Sequence, residues 1–165
     1  MPHSLPDIRR QHIAALRYTL ATLDHIITMT PQTDATTFRD SGDGWTVLEV
    51  LGHLMDFDQI FYDRAVMIRD EDNPTLPAFD HDALVEQGKF NARAKADVYA
   101  TLRQSRLQFI DFFDALTDEQ WARTGIHPER GPFSLTDALL QVVMHDTNHI
   151  EQITRILAEQ QLPAS

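Results

Sequence analysis

None of the 165 residues is a cysteine, which removes disulfides, thiolate ligands and a cysteine nucleophile together. Any thiol chemistry would have to use a thiol that arrives from outside. No stretch approaches the roughly 20 consecutive apolar residues of a membrane span, so no membrane partner is expected. The opening residues, Met-Pro-His-Ser-Leu-Pro-Asp-Ile-Arg-Arg, lack the apolar core of a signal peptide, and a cytoplasmic location is the expectation. Basic residues are also scarce: 14 Lys and Arg stand against 25 Asp and Glu, for a formal net charge of -11. Nucleic-acid binding needs a basic face to displace counterions, so no nucleic acid is expected either. Also missing are a Gly-rich phosphate loop, a serine in a nucleophile-elbow context and the H-E-x-x-H pattern of zinc proteases. A nucleotide enzyme and a serine hydrolase are therefore not expected.

What is present is helical periodicity. Ile8, His12, Ile13, Leu16, Leu20, Leu23 and Ile27 recur at helical spacing from about Asp7 to Thr28. A polar loop after Pro31 leads to Thr46-Val-Leu-Glu49, a capping box that opens a helix running to about Asp70. Glu71 to Phe79 is a Pro-broken linker, and His81 to Gly88 adds a short helix. A third long helix covers about Ala92 to Ala115, burying Val98, Leu102, Phe109, Phe112 and Leu116. Thr117 to Gln120 is a second capping box before Trp121, and Gly125 to Gly131 is expected as loop. Ser134-Leu-Thr-Asp137 caps the last helix, which runs to about Glu159 before Pro163. No strand pattern of useful length emerges. The expectation is one all-α domain over residues 1–165, a four-helix bundle, large enough to bury about 70% of its unfolded surface without staples.

The candidate chemistry lies in three histidines. His145 and His149 are four residues apart, so on a helix they project from one face with Cβ atoms roughly 5–6 Å apart. They fill the steps of an apolar stripe made by Ala138, Val142, Ile153 and Ile156. Imidazoles in a core need a partner, because an unsatisfied buried polar group costs on the order of 1–3 kcal/mol. A divalent metal meets that need, and H-x-x-x-H on one helix suits it. His53 shares the stripe of Val50, Phe57 and Ile60 on the second long helix and is the candidate third ligand. Three neutral imidazoles with one open position is the arrangement of catalytic zinc sites, though imidazole also suits nickel, iron and copper. With an unperturbed histidine pKa near 6.5, metal affinity is expected to fall as the pH drops through about 6 to 5.

Other residues are weighed against this triad. Asp146 and Glu151 are expected off its face. Asp56 is the favoured carboxylate behind a ligating ring, and Gln152 an ordinary boundary residue that could reach bound water. Phe57, Phe61 and Tyr62 form an aromatic patch near His53, as pocket wall or core. Trp45 and Trp121 are expected as structural anchors. His3, His12, His25, His81 and His127 lack paired spacing, and His127 is expected in solvent. Leu139, Val143, Ile150 and Leu157 form a second apolar strip that needs a cover.

The residues already singled out carry a family resemblance. Gly44-Trp-Thr-Val-Leu-Glu-Val-Leu-Gly-His-Leu54 resembles the second-helix signature of the DinB-like superfamily. Met144-His-Asp-Thr-Asn-His-Ile-Glu-Gln-Ile153 resembles its fourth-helix metal motif, and Asp114-Ala-Leu-Thr-Asp-Glu-Gln-Trp121 the segment that often closes its third helix. The resemblance spans about Ser4 to Glu159. It implies an up-down-down-up four-helix bundle, often a homodimer, with zinc, nickel or iron on three histidines matching His53, His145 and His149. It also implies, as in bacillithiol transferases and mycothiol-dependent maleylpyruvate isomerase, a low-molecular-weight thiol activated on the metal to attack a small electrophilic substrate. Asn148 departs from the pattern, since several relatives carry a further histidine there. The leading expectation is thus a metal- and thiol-dependent S-transferase. The alternatives are a metal-dependent hydrolase and a non-catalytic metal-binding stress or sensor module.

Overall fold

The computed structural model describes residues 4–160, so His3 and Pro163 lie outside the described residues. Four long helices make the bundle: α1 (Leu5–Met29), α3 (Val47–Asp70), α5 (Lys95–Asp114) and α7 (Leu135–Glu159). Between them lie the short helices α2 (Gln32–Thr37), α4 (His81–Gly88) and α6 (Asp118–Trp121), with a 3-10 turn at Phe90–Ala92. The capping boxes at Thr46, Thr117 and Ser134 all form, and Ser4 adds a fourth with Asp7. Each box satisfies two amides that the first helical turn leaves without partners.

Contacts between helices fix their directions. Arg9 and Thr19 on α1 donate to Thr136 (3.0 Å) and Asp146 (2.5 Å) on α7, so α1 and α7 run the same way. Arg17 pairs with Asp114, and Tyr99 donates to the Leu20 carbonyl, so α1 and α5 are antiparallel. Ser105 and Arg106 meet Asp58, while Phe109 and Phe112 pack on Tyr62, so α3 and α5 are parallel. The order is up-down-down-up, with α1 diagonal to α3.

Two expectations about local structure need correction. The polar segment after Pro31 contains α2 rather than loop alone. The segment expected as loop from Gly125 to Gly131 is part of an antiparallel hairpin, β1 (Thr124–His127) and β2 (Gly131–Ser134), with Gly125 opposite Phe133 and His127 opposite Gly131. Its strands are too short for an alternating pattern to show in sequence. The tertiary setting supplies their support, since β1 also pairs with the linker through Ile126 N–H to the Pro74 carbonyl (2.7 Å) and Leu76 N–H to the Ile126 carbonyl (2.9 Å).

The apolar core falls into two clusters stacked along the bundle. One gathers Leu16, Phe57, Phe61, Phe109, Phe113, Trp121 and Leu139; the other gathers Leu23, Leu48, Leu51, Val98, Leu102, Ile153 and Ile156. Each fully buried Leu or Phe contributes about 1.5–3 kcal/mol relative to exposure. On every long helix a polar residue separates the two clusters: Thr19, His53 with Asp58, Arg106, and His145 to His149. Close packing also shapes this layer. A Cβ on Gly52 would stand 2.3 Å from the Phe90 ring, so the glycine beside His53 lets the 3-10 turn lie against α3. Of the second apolar strip, Leu139 is buried within the chain, and Val143, Ile150 and Leu157 are partly buried against the core.

Candidate metal centre

α3 and α7 run antiparallel past one another and bring the three sequence-predicted histidines together at mid-bundle. Each offers a ring nitrogen, and these three atoms lie within 4.8 Å of one another. His53 Nε2 and His145 Nε2 are 2.9 Å apart, with ring centroids at 4.9 Å. The His149 ring stands edge-on to both, at 4.7 Å from His53 and 4.5 Å from His145. Trp45 and Phe57 pack against His53 at 5.0 and 4.5 Å, so Trp45 anchors a ligand candidate as well as a helix start.

Burial sets the charge state of the cluster. It pushes His53 down to about 3, helped by His149 and His81, and His145 down to about 2, helped by His149, His53 and Arg106. Burial lowers His149 too, against the opposing hydrogen bond from Gln152 and the charge of Asp146. All three rings are neutral at pH 7, the state in which imidazole is a ligand. The loss of metal affinity expected between pH 6 and 5 rested on an unperturbed ring, whereas burial of these rings shifts the expected proton competition to lower pH.

The donor set fits one divalent cation. Two Zn–N bonds of about 2.0–2.1 Å subtend roughly 3.3 Å at a tetrahedral angle and roughly 2.9 Å at a right angle, close to the observed Nε2–Nε2 separation. Without a cation, at most one proton can lie between those two nitrogens. A buried His53 Nδ1 also lacks a hydrogen-bond partner, so no internal bond fixes that ring's tautomer. His149 differs. Its Nδ1 donates to Gln152 Oε1 (2.8 Å), and the Gln152 amide donates to Asp40 Oδ2 (2.8 Å). Arg155 in turn pairs with Asp40. This relay turns the free Nε2 of His149 toward the cluster. Gln152, expected as an ordinary boundary residue that could reach bound water, is therefore the side chain behind His149. Asp56 lies instead in a separate groove with Gln59, Leu84 and Gln87. The i, i+3 spacing of His149 and Gln152 was the available signal.

Asp146 turns off the face of the histidine pair, as expected, yet it is wholly buried. Arg106, also buried, donates through Nη2 to Asp146 Oδ1 (2.8 Å), through Nη1 to Oδ2, and through Nε to Asp58 Oδ1 (2.6 Å). Burial opposes the Arg106 charge, yet Asp146 and Asp58 outweigh it and hold the guanidinium above its ordinary pKa. This knot ties α7 to α3 and α5 one residue from His145. Its sequence signal was the apolar spacing of Leu102, Arg106 and Phe109. Glu151 is exposed, as expected.

A cleft of about 530 Å³ reaches the triad at His145, the one of the three histidines that lines it. Phe57, Phe61 and His145 form its floor, and Phe79, His81, His127, Met144 and Asn148 are among its walls. Phe57 and Phe61 are thus both core and pocket wall, whereas Tyr62 packs on Phe109 and Phe112. His127 was expected in solvent. It is buried, because the hairpin folds over Arg64, and its Nε2 lies 3.3 Å from Arg64 Nη1. His81 stacks at 5.5 Å from His53. His12 bonds the Ile8 carbonyl and takes no part.

Fold and site together define a four-helix bundle with a three-histidine metal-type centre that borders an open cleft through His145. The chain belongs to the DinB superfamily, whose family model matches residues 10–153. It is 30% identical over 122 residues to YfiT of Bacillus subtilis, named as a candidate metal-dependent hydrolase, covering 73% of this chain and 67% of that protein. A relative with the same style of name from Oceanobacillus iheyensis is 22% identical over 117 residues, 71% of this chain and 66% of its own length. The solved structure of YfiT, described as having an unusual four-helix bundle topology, superposes with a TM-score of 0.87 at 24% identity, covering 98% of this chain and 92% of that one. A mycothiol-dependent maleylpyruvate isomerase shares the fold at a TM-score of 0.71 and 9% identity, covering 88% and 60%. Among the described residues, no helix is long and apolar enough to cross a membrane.

Proposed function

We propose that this chain is a divalent-metal-dependent enzyme in which His53, His145 and His149 hold one ion and the cleft admits a small electrophilic substrate for transfer to an exogenous thiol. The observation that carries this reading is the convergence of three neutral imidazoles, with no carboxylate among them, one of which, His145, lines a cleft of about 530 Å³. A bound zinc, nickel or iron ion would lower the pKa of a coordinated water or thiol into the working range. The protein's own part is positional. Gln152 fixes the His149 tautomer, the Arg106 knot sets the height of α7, and Phe57 and Phe61 exclude water from the floor. The absence of cysteine makes the thiol a ligand rather than a side chain. The likeness to a mycothiol-dependent isomerase supports that class of cofactor, and the cytoplasm keeps such thiols reduced. A homodimer is proposed on the family resemblance alone, because the second apolar strip is largely used within the chain.

Metal-assisted hydrolysis is the second reading, favoured by His81. Its ring stacks on His53 and faces the cleft, where a ring nitrogen can accept a proton from an attacking water. The names of the Bacillus and Oceanobacillus relatives support it too. A metal-binding module without turnover would have no need of the cleft. Cobalt-loaded protein separates the readings. Titration with cellular thiols is expected to add a near-ultraviolet thiolate charge-transfer band that His149→Ala loses with the metal. If fully loaded protein shows no band with any thiol but turns over esters or amides, hydrolysis takes its place.

A further inference from the structure

Arg64 is 6% exposed, lines the cleft and makes no salt bridge among the described residues. A guanidinium carries five N–H donors, and Arg64 has one clear acceptor for them, the Pro77 carbonyl, which Nη2 meets. Its Nε is buried with no partner. Nη1 faces His127 Nε2 at 3.3 Å, but His127 Nδ1 already faces the Glu129 N–H at 3.2 Å. A neutral imidazole has one acceptor nitrogen. Whichever tautomer His127 adopts, one ring N–H points at another donor. An unpaired buried donor forfeits its hydration without replacement, and here two groups share the deficit at one end of the cleft. The other charged side chains lining the cleft are Glu129 and Arg130, both exposed on the hairpin turn, and Asp137, whose carboxylate is engaged by Ser134 in the capping box of α7.

Resting on the metal-enzyme reading, we infer that Arg64 and His127 form a subsite for a carboxylate on the substrate, placed across an apolar floor from the histidine triad. A planar carboxylate matches the guanidinium fork with two oxygens, and one oxygen between Arg64 and His127 gives both donors an acceptor. A phosphate dianion would call for more positive charge than one buried arginine supplies in a chain of net charge -11. Along α3, His53, Phe57, Phe61 and Arg64 follow at helical spacing. The Cα atoms of His53 and Arg64 are about 16 Å apart by helical rise, and the arginine leans back toward the N-terminus. That leaves on the order of 10 Å between the two ends. Phe57, Phe61, Phe79 and Phe133 border this span. The substrate is therefore a small carboxylic acid with an apolar body and a reactive group at its other end.

The test is calorimetry with 3-phenylpropionate, its neutral amide and 2-phenylethylphosphonate. The proteins are metal-loaded wild type, Arg64→Met, Arg64→Lys and the metal-free His149→Ala variant. The acid should bind wild type roughly ten- to hundredfold more tightly than the amide. That preference should persist in His149→Ala, weaken in Arg64→Lys and vanish in Arg64→Met. Should the Met variant not fold, the Arg64 Nε–H resonance in ¹⁵N-arginine-labelled wild type should shift with the acid and not with the amide. Equal binding of acid and amide overturns the proposal, as does an acid preference that survives Arg64→Met. A preference lost with the metal in His149→Ala places the carboxylate on the ion and also overturns it, and tighter binding of the phosphonate rejects the carboxylate class. Elemental analysis of the same samples keeps the two readings apart: an Arg64-dependent preference in protein that never takes up metal sustains the subsite and removes the metal reading.

Discussion

Two buried polar regions meet at the middle of this bundle and follow opposite rules. The Arg106 knot is closed: the guanidinium bonds two aspartates through all three of its nitrogens, and Ser105 and Thr19 donate to the same carboxylates. The histidine cleft is open: three imidazoles share no counter-charge, His53 Nδ1 has no partner, and Arg64 at the far end leaves Nε unbonded. Both regions bear the desolvation cost of polar groups. In the knot the cost is offset internally, so its role is to hold four helices in register. In the cleft it is not, and the missing partner is what a metal or a substrate supplies.

The largest effect expected is on metal. His53→Ala, His145→Ala or His149→Ala should each abolish stoichiometric binding, read by elemental analysis, while circular dichroism stays helical. A variant that keeps wild-type metal content would remove that residue from the triad. Arg106→Ala should do the reverse. It strands Asp58 and Asp146, and breaking a buried pair costs about 3–5 kcal/mol, read by urea denaturation. A loss under about 1 kcal/mol would make the knot no stronger than a surface pair.

Acidity should divide the regions next. The histidines have folded-state pKa values below their unfolded values, so the unfolded chain binds more protons as the pH falls. Metal-free protein should therefore lose stability from about pH 6.5 down toward 3, the window set by His53 at about 3 and His145 at about 2. His145→Ala should flatten that slope. For the same reason metal affinity should hold between pH 7 and 5, and a steep fall there would mean that the rings are solvated. Smaller still, Gln152→Ala frees the His149 tautomer and should weaken metal binding by roughly 10–100-fold. Arg155→Ala, one step further back and partly exposed, should change it by less. Equal effects would mean that Gln152 acts only as helix surface.

Much of this was legible in the sequence, because helices are local objects. The capping hydroxyls at Thr46, Thr117 and Ser134, the apolar spacing and the prolines place the long helices to within a few residues. The same spacing places His53, His145 and His149 on inward faces. Arg106 and Asp146 occupy equally inward steps, but their pairing is not legible in the sequence because nothing in one helix names a partner on another. The hairpin was missed because four-residue strands carry too little pattern, and its support comes from Pro74 and Ile126 meeting across the chain.

The sequence by itself determined the absent chemistries, the bundle class and a set of three histidines that could share an ion. Composition and helical periodicity suffice for these, since each depends on neighbours within a turn or two. Only the tertiary structure decided that α3 and α7 cross so that those rings converge, that Gln152 rather than Asp56 stands behind His149, and that His127 closes over Arg64. His53 and His145 meet from 92 positions apart, Arg64 and His127 from 63, and Asp40 and Gln152 from 112, encounters set by how side chains from different elements share space and satisfy one another's hydrogen bonds.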